Sequence, residues 1–165
     1  MISLAAVNQL SDAEFVASFG DVAEHAPWVA EAAGAHRPFA TRAGMIDAFT
    51  QTVLNEERAR QQALICAHPD LATRAKLTAD SSREQQGVGL DRLTTEEFAR
   101  FTTLNTAYRT RFGFPFIFAV KGATKHQILE AFAARMSNSP ETEFETALGQ
   151  VCRIIAFRLE DRVSP

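Results

Sequence analysis

LICAHPDLATRAKLTADSSREQQGVGL, Leu64 to Leu90, is the stretch on which the reading of this chain turns. Its apolar opening stops at His68-Pro69-Asp70. A proline pushes the residue before it out of the α region, so a helix is expected to end at His68. Further on, Ser81-Ser82-Arg83-Glu84-Gln85 starts another helix. There Ser81, Glu84 and Gln85 stand at i, i+3 and i+4, on one face. An imidazole at one helix end, followed by a carboxylate and an amide at the next helix start, is the linear pattern of an acid–base site. The same residues carry a plainer reading. Ser81-x-x-Glu84 is also a capping box, and His68 can be a surface imidazole ahead of a proline. The stretch by itself leaves both open.

Upstream, Ser11-Asp12-Ala13-Glu14 starts a short helix that Gly20 closes. DVAEHAPWVAE, from Asp21, reads as two short helical pieces broken at Pro27, with Trp28 anchoring them to the core and His25 at the rim. Gly34 and Pro38 mark a loop. One long helix is then expected from Thr41 to about Ala67. Met45, Phe49, Val53 and Leu54 recur on it at helical spacing, and Asn55-Glu56-Glu57-Arg58 faces solvent.

Downstream, Thr94-x-x-Glu97 is a capping box that leads Phe98, Phe101, Leu104, Tyr108 and Phe112 along one stripe to Gly113, a C-cap. Phe114-Pro115-Phe116-Ile117-Phe118-Ala119-Val120 is rich in strand formers yet too short and solitary for a sheet. Its backbone N–H and C=O groups need partners, either a bound polar ligand or flanking segments. Thr124 caps a helix to about Met136. Ser139-Pro140 opens the last helix, to about Val163, with Glu141 and Glu143 suiting its dipole. Its buried stripe, Phe144, Leu148, Val151 and Ile155 with Ile154 beside it, continues at helical spacing onto Arg158. A guanidinium there either faces a polar pocket or snorkels to water at the helix end.

The fold expected from these signals is all-α, a bundle of about seven or eight helices forming a single domain over residues 1–165, with one short extended segment near Phe114–Val120. The chain has 165 residues, 46% hydrophobic and 22% charged, as in an ordinary globular protein. A net charge of −3 leaves no electrostatic footprint for nucleic acid or an anionic membrane surface. No apolar run reaches the roughly 20 residues of a membrane span, and the first residues lack the basic start and long apolar core of a signal peptide. The C-terminal Val163-Ser164-Pro165 is not a peroxisomal address. The expected location is therefore cytoplasmic. Cys66 and Cys152 lack CxxC spacing and read as small buried hydrophobes. His25, His36 and His126 show no compact ligand spacing with His68, so no metal is expected.

Read together, these residues resemble one family. Glu24-His25-x-Pro27-Trp28, His68-Pro69-Asp70-Leu71-Ala72, Ser81-x-x-Glu84-Gln85, Leu104-Asn105-x-x-Tyr108, Arg111-Phe112-Gly113-Phe114-Pro115-Phe116-Ile117 and Arg158-Leu159 stand in an order similar to that of the 2-oxo-4-hydroxy-4-carboxy-5-ureidoimidazoline decarboxylases, over nearly the whole chain. The resemblance implies an all-α homodimer without cofactor or metal, acting on a small molecule in the last step from urate to (S)-allantoin. It implies His68 and Glu84 as the catalytic pair, with Pro69, Ser81, Gln85, the backbone of Phe116, Ile117 and Phe118, and Arg158 binding substrate. Two departures stand out: a shorter segment between His68 and Ser81 than in some relatives, and Ala26 where serine is common. Neither touches the implied pair.

The residue types suit that chemistry. The implied substrate has a carbon bearing both hydroxyl and carboxylate, beside a C=N that accepts electrons as CO₂ leaves, so no external electron sink is required. An imidazole exchanges a proton near neutral pH, and a carboxylate can orient or tune it. A guanidinium grips anionic oxygen with a fixed fork. Glutamine and extended backbone serve ring and ureido groups.

Overall fold

Most helices of this chain begin where a side chain three residues upstream of a free backbone N–H can take it. A computed structural model describes residues 1–73 and 77–165; the part of the His68–Ser81 connection at 74–76 lies outside the described residues. Among them are two short strands and nine helices: β1 (Ile2–Ser3), α1 (Leu4–Val7), α2 (Asp12–Phe19), α3 (Trp28–Gly34), α4 (Arg42–Leu54), α5 (Arg58–Ala67), α6 (Ala79–Gly87), α7 (Thr95–Phe112), α8 (Lys125–Arg135), α9 (Pro140–Arg162) and β2 (Val163–Ser164). The fold is all-α, and Phe114–Val120 is extended without joining a sheet. Ser11, Thr94 and Thr124 close reciprocal capping boxes with Glu14, Glu97 and Gln127, each satisfying two N–H groups that a helix start would leave bare. No helix among the described residues is long and apolar enough to cross a membrane.

The chain forms two compact units. The first comprises Met1–Leu64 and Val151–Pro165. The terminal strands meet there in parallel, Ile2 opposite Val163 and Ser3 opposite Ser164. Helix α3 packs against α2 and α4. Phe15 and Phe19 lie 5.0 Å apart between ring centres, and a Cβ at Gly34 would come within 2.9 Å of the Phe15 ring, so that close helix approach needs glycine. Met45, Phe49, Val53, Val151, Ile155 and Leu159 are buried, as their spacing requires.

Several expectations fail in this unit; Gly34 ends α3 rather than lying in a loop, and Leu54 is exposed. The long helix breaks at Asn55–Glu57, because Gln61 Nε2 donates to the carbonyls of Val53 and Leu54, both at 3.0 Å, giving α4 the C-terminal donors that continuation would have supplied. The segment before Pro27 forms turns rather than a helix, with His25 at φ +51°. Trp28 is only half-buried; the Arg60 guanidinium lies 4.2 Å over its ring, so it is a cation–π platform rather than a core anchor. Cys152 is buried, its thiol pushed up to about 11 by burial.

The second unit is Ile65–Gln150. Its core is aromatic: Phe116 stacks on Phe132 at 3.6 Å, and Tyr108 meets Phe116 edge-on at 5.2 Å. The stripe on α7 is Phe101, Asn105 and Tyr108, with Phe98, Leu104 and Phe112 half-buried at its margins. Gly113 closes α7 at φ +79°, a left-handed cap that suits glycine. Cys66 is exposed, contrary to its expected burial, because it falls on the outer face of the last turn of α5.

Candidate active site

Helix α5 ends where Pro69 requires it to. The His68 N–H still donates to Ile65 O at 3.1 Å, tightening the last turn, and the next residue has no N–H to give. His68 is buried, 5% exposed, with Nε2 shielded from solvent. A surface imidazole is therefore not what this residue is. The chain beyond it is tied at successive residues. Asp70 accepts from Arg109 Nε at 2.9 Å, Leu71 O accepts from Asn105 Nδ2 at 2.8 Å, and the Ala72 N–H donates to Gln85 Oε1 at 2.8 Å. Asn105 and Arg109 are one turn apart on α7, so one helix face holds two of the three ties. Ala72 is at φ +58°, a left-handed conformation that a β-carbon disfavours and that such ties can hold.

The capping-box reading of Ser81 and Glu84 does not survive. Helix α6 begins one turn earlier: Thr78, extended at ψ 161°, is its N-cap and accepts the Ser81 N–H at 3.3 Å. Ser81 is the third residue of the helix and Glu84 the sixth, beyond the reach of the first turn's bare N–H groups. Ser81 and Gln85 are buried and Glu84 half-buried, on the shared face that their spacing implies. The bond from Ala72 orients the Gln85 carboxamide, with Oε1 turned to the Ala72 N–H and the Nε2 donors on the opposite edge. The Ala72–Gln85 bond also ties the turn that follows His68 to the helix that carries Glu84.

Two backbone groups of the extended run are met by side chains. Ile117 O accepts from Arg135 Nη1 at 2.6 Å, and the Ala119 N–H donates to Gln150 Oε1 at 2.8 Å. Phe116 and Ile117 are buried and Phe118 half-buried. Arg135 in turn belongs to a buried group that the sequence reading missed. Its Nε donates to Glu143 Oε1 at 2.7 Å, and Nη2 stands 2.5 Å from the same oxygen, an ion pair without the alignment of a hydrogen bond. Tyr108 donates its hydroxyl to that oxygen, and Asn138 Nδ2 donates to Glu143 Oε2 at 2.8 Å. Glu143 is 0% exposed, so its first-turn position on α9 serves an interior pairing and not the helix dipole alone. The only local sign was an acid one turn after Ser139-Pro140, which a dipole explains equally well. Burial, and then Glu143 beside it, push the Tyr108 phenol far above its ordinary value and keep it a donor.

Arg158 lies in the first unit and is 4% exposed, which removes the snorkelling reading. Its Nη1 donates to Glu24 Oε2 at 2.9 Å and to Val22 O at 3.2 Å, and Glu24 is itself 1% exposed. Glu24 stood in a quoted motif, but nothing local identified it as the partner of a residue 134 positions away. Among the described residues no three His, Cys, Asp or Glu side chains gather closely enough to hold a metal ion together.

The family model described as OHCU decarboxylase matches residues 8–160. A relative from Haloferax volcanii, named 2-oxo-4-hydroxy-4-carboxy-5-ureidoimidazoline decarboxylase, is 42% identical over 163 residues, covering 99% of this chain and 97% of that protein. The uric acid degradation bifunctional protein of Bacillus subtilis is 40% identical over 164 residues, 99% of this chain but 33% of that longer protein. Among solved structures, an (S)-allantoin synthase superposes with a TM-score of 0.82 at 33% identity, over 99% of this chain and 54% of that one. An OHCU decarboxylase solved in the presence of (S)-allantoin gives 0.70 at 20% identity, over 92% and 97%, a likeness of fold.

Proposed function

The chain belongs to the OHCU decarboxylase family, and from that premise we propose that it converts 2-oxo-4-hydroxy-4-carboxy-5-ureidoimidazoline to (S)-allantoin and CO₂, without a cofactor or metal, as the last step from urate to allantoin. The observation that carries the site assignment is the bond from the Ala72 N–H to Gln85, which holds the turn after His68 against the helix of Glu84. In the proposed reaction the bond between the ring carbon and its carboxylate breaks. CO₂ departs as the electron pair forms a C=C bond to the neighbouring, ureido-bearing carbon, and the C=N electrons move onto nitrogen, which takes up a proton. One face of the ureido-bearing carbon is then protonated, while the hydroxyl loses its proton and becomes the ring carbonyl of (S)-allantoin. His68 and Glu84 are the acid–base pair, with a buried imidazole as the proton-exchanging group. Ser81 and Gln85 flank it from α6; the Gln85 amide, oriented by the Ala72 N–H, donates to a substrate oxygen. Pro69 shapes the pocket wall, and the backbone of Phe116, Ile117 and Phe118 addresses the ring and ureido groups. Arg158, oriented by Glu24, is the anion-binding residue.

The proposal extends to one functional domain, a homodimer in the cytoplasm, with a small molecule and neither nucleic acid nor membrane as partner; a net charge of −3 supports the last point. The test is stereochemical. Substrate generated enzymatically from urate is given to the pure protein, and circular dichroism follows the product. Accelerated appearance of (S)-allantoin supports the reading. Loss of substrate at the spontaneous rate, or a racemic product, overturns it.

A further inference from the structure

We propose that Arg135 is a positioning residue for this site, holding the Phe116–Phe118 backbone in the conformation that substrate meets. The proposal rests on the reading of that segment as substrate-binding. Ile117 is buried in a run that pairs with no strand among the described residues, and its carbonyl takes a bond from a side chain: Arg135 Nη1 at 2.6 Å. The same guanidinium lies 4.3 Å over the Phe116 ring and ion-pairs Glu143 along its other edge. One planar group thus fixes a carbonyl, an aromatic face and a carboxylate at once, which lysine cannot reproduce.

The carboxylate is fixed as well. Tyr108 from α7 and Asn138 from the α8–α9 turn both donate to it, so Arg135 cannot swing without breaking its bonds to the extended run and to a carboxylate that two further segments hold in place. A buried ionic group of this kind is a poor device for stability alone, because well-packed apolar residues often do as well or better. Its position on the carbonyl of the extended run gives it a reason to be ionic: the run needs a donor there, and an apolar substitute has none.

The discriminating experiment replaces the network by apolar residues in the full-length protein, Tyr108→Phe with Arg135→Met and Glu143→Leu, and compares it with the parent and with Arg135→Lys. Three quantities are read: melting temperature, hydrogen–deuterium exchange of the peptide spanning Phe116–Ala119, and the separate values of kcat and KM. The expected result is a folded triple variant whose segment exchanges faster than in the parent. Its KM should rise about tenfold or more while kcat changes by less than about threefold, a loss of binding geometry rather than of chemistry. Arg135→Lys keeps the charge opposite Glu143 and is expected to show the same KM and exchange shifts, so it decides the matter if the triple variant does not fold. Unchanged exchange and a KM within about twofold of the parent, with only the melting temperature moved, would make the network purely structural and overturn the proposal. If the parent itself does not turn over the substrate, the functional reading fails, and the exchange data still decide whether Arg135 holds the segment.

Discussion

Glu84→Gln is the substitution that most directly tests the acid–base assignment, because the structure has removed the competing role. Thr78, not Ser81, caps α6, and Glu84 is the sixth helical residue. Glutamine has nearly the same helix propensity and shape as glutamate. The change should therefore alter stability by no more than about 0.5 kcal/mol. If the ionisable group works with His68, turnover should fall by at least about 10²-fold, or about 2.7 kcal/mol of transition-state stabilisation. The control is Thr78→Ala, which deletes the actual cap and should cost about 0.5–2 kcal/mol. For a chain of this size that lowers the melting temperature by about 1–8 °C. Its kcat per folded molecule should stay close to the parent. Melting curves and initial rates on the two variants thus give opposite patterns, one stable and slow, the other less stable and active. A stable Glu84→Gln protein with parental turnover would refute the assignment of Glu84 to catalysis.

Other outcomes follow from the same geometry. His68→Ala should lower turnover by about 10²–10⁴-fold in (S)-allantoin assays, with far-ultraviolet circular dichroism unchanged; activity within a few-fold of the parent would remove its chemical role. Glu24→Ala removes a buried carboxylate from the Arg158 guanidinium and should cost about 3–5 kcal/mol in urea titrations, whereas adding Arg158→Met should recover part of that loss. Asp21 has its carboxyl held below the ordinary range, chiefly by the hydrogen bond from Arg162. A depressed folded value means stability present above the ordinary carboxylate range and lost as pH falls through the folded value. Arg162→Gln should therefore destabilise the protein near neutrality, and the gap from the parent should close below about pH 4 in pH-dependent melts.

What the sequence determined by itself is whatever is decided within a turn of chain. Ser11, Thr94 and Thr124 reach their own N3 positions, Gly113 supplies its own left-handed cap, and Pro69 stops α5 at the residue before it; each was legible because both partners lie within three or four positions. The all-α class and the face shared by Ser81, Glu84 and Gln85 follow from the same short-range periodicity. The order of the quoted motifs was enough to name the family. Even at short range two signals can compete, and at α6 the Thr78 start took precedence over the Ser81 start one turn later.

The tertiary structure decided what short range leaves undetermined. Gln61 terminates α4 from the next helix, where the sequence suggested an unbroken one. Arg158 could equally have reached water until Glu24, far away in the chain, was folded beside it. Glu143 looked like an ordinary first-turn acid until Tyr108, Arg135 and Asn138 converged on it. Propensity sets where backbone groups begin to bond to one another, but a buried charge or a bare carbonyl takes whichever partner the packing brings to it, and that partner's distance in sequence carries no local signal.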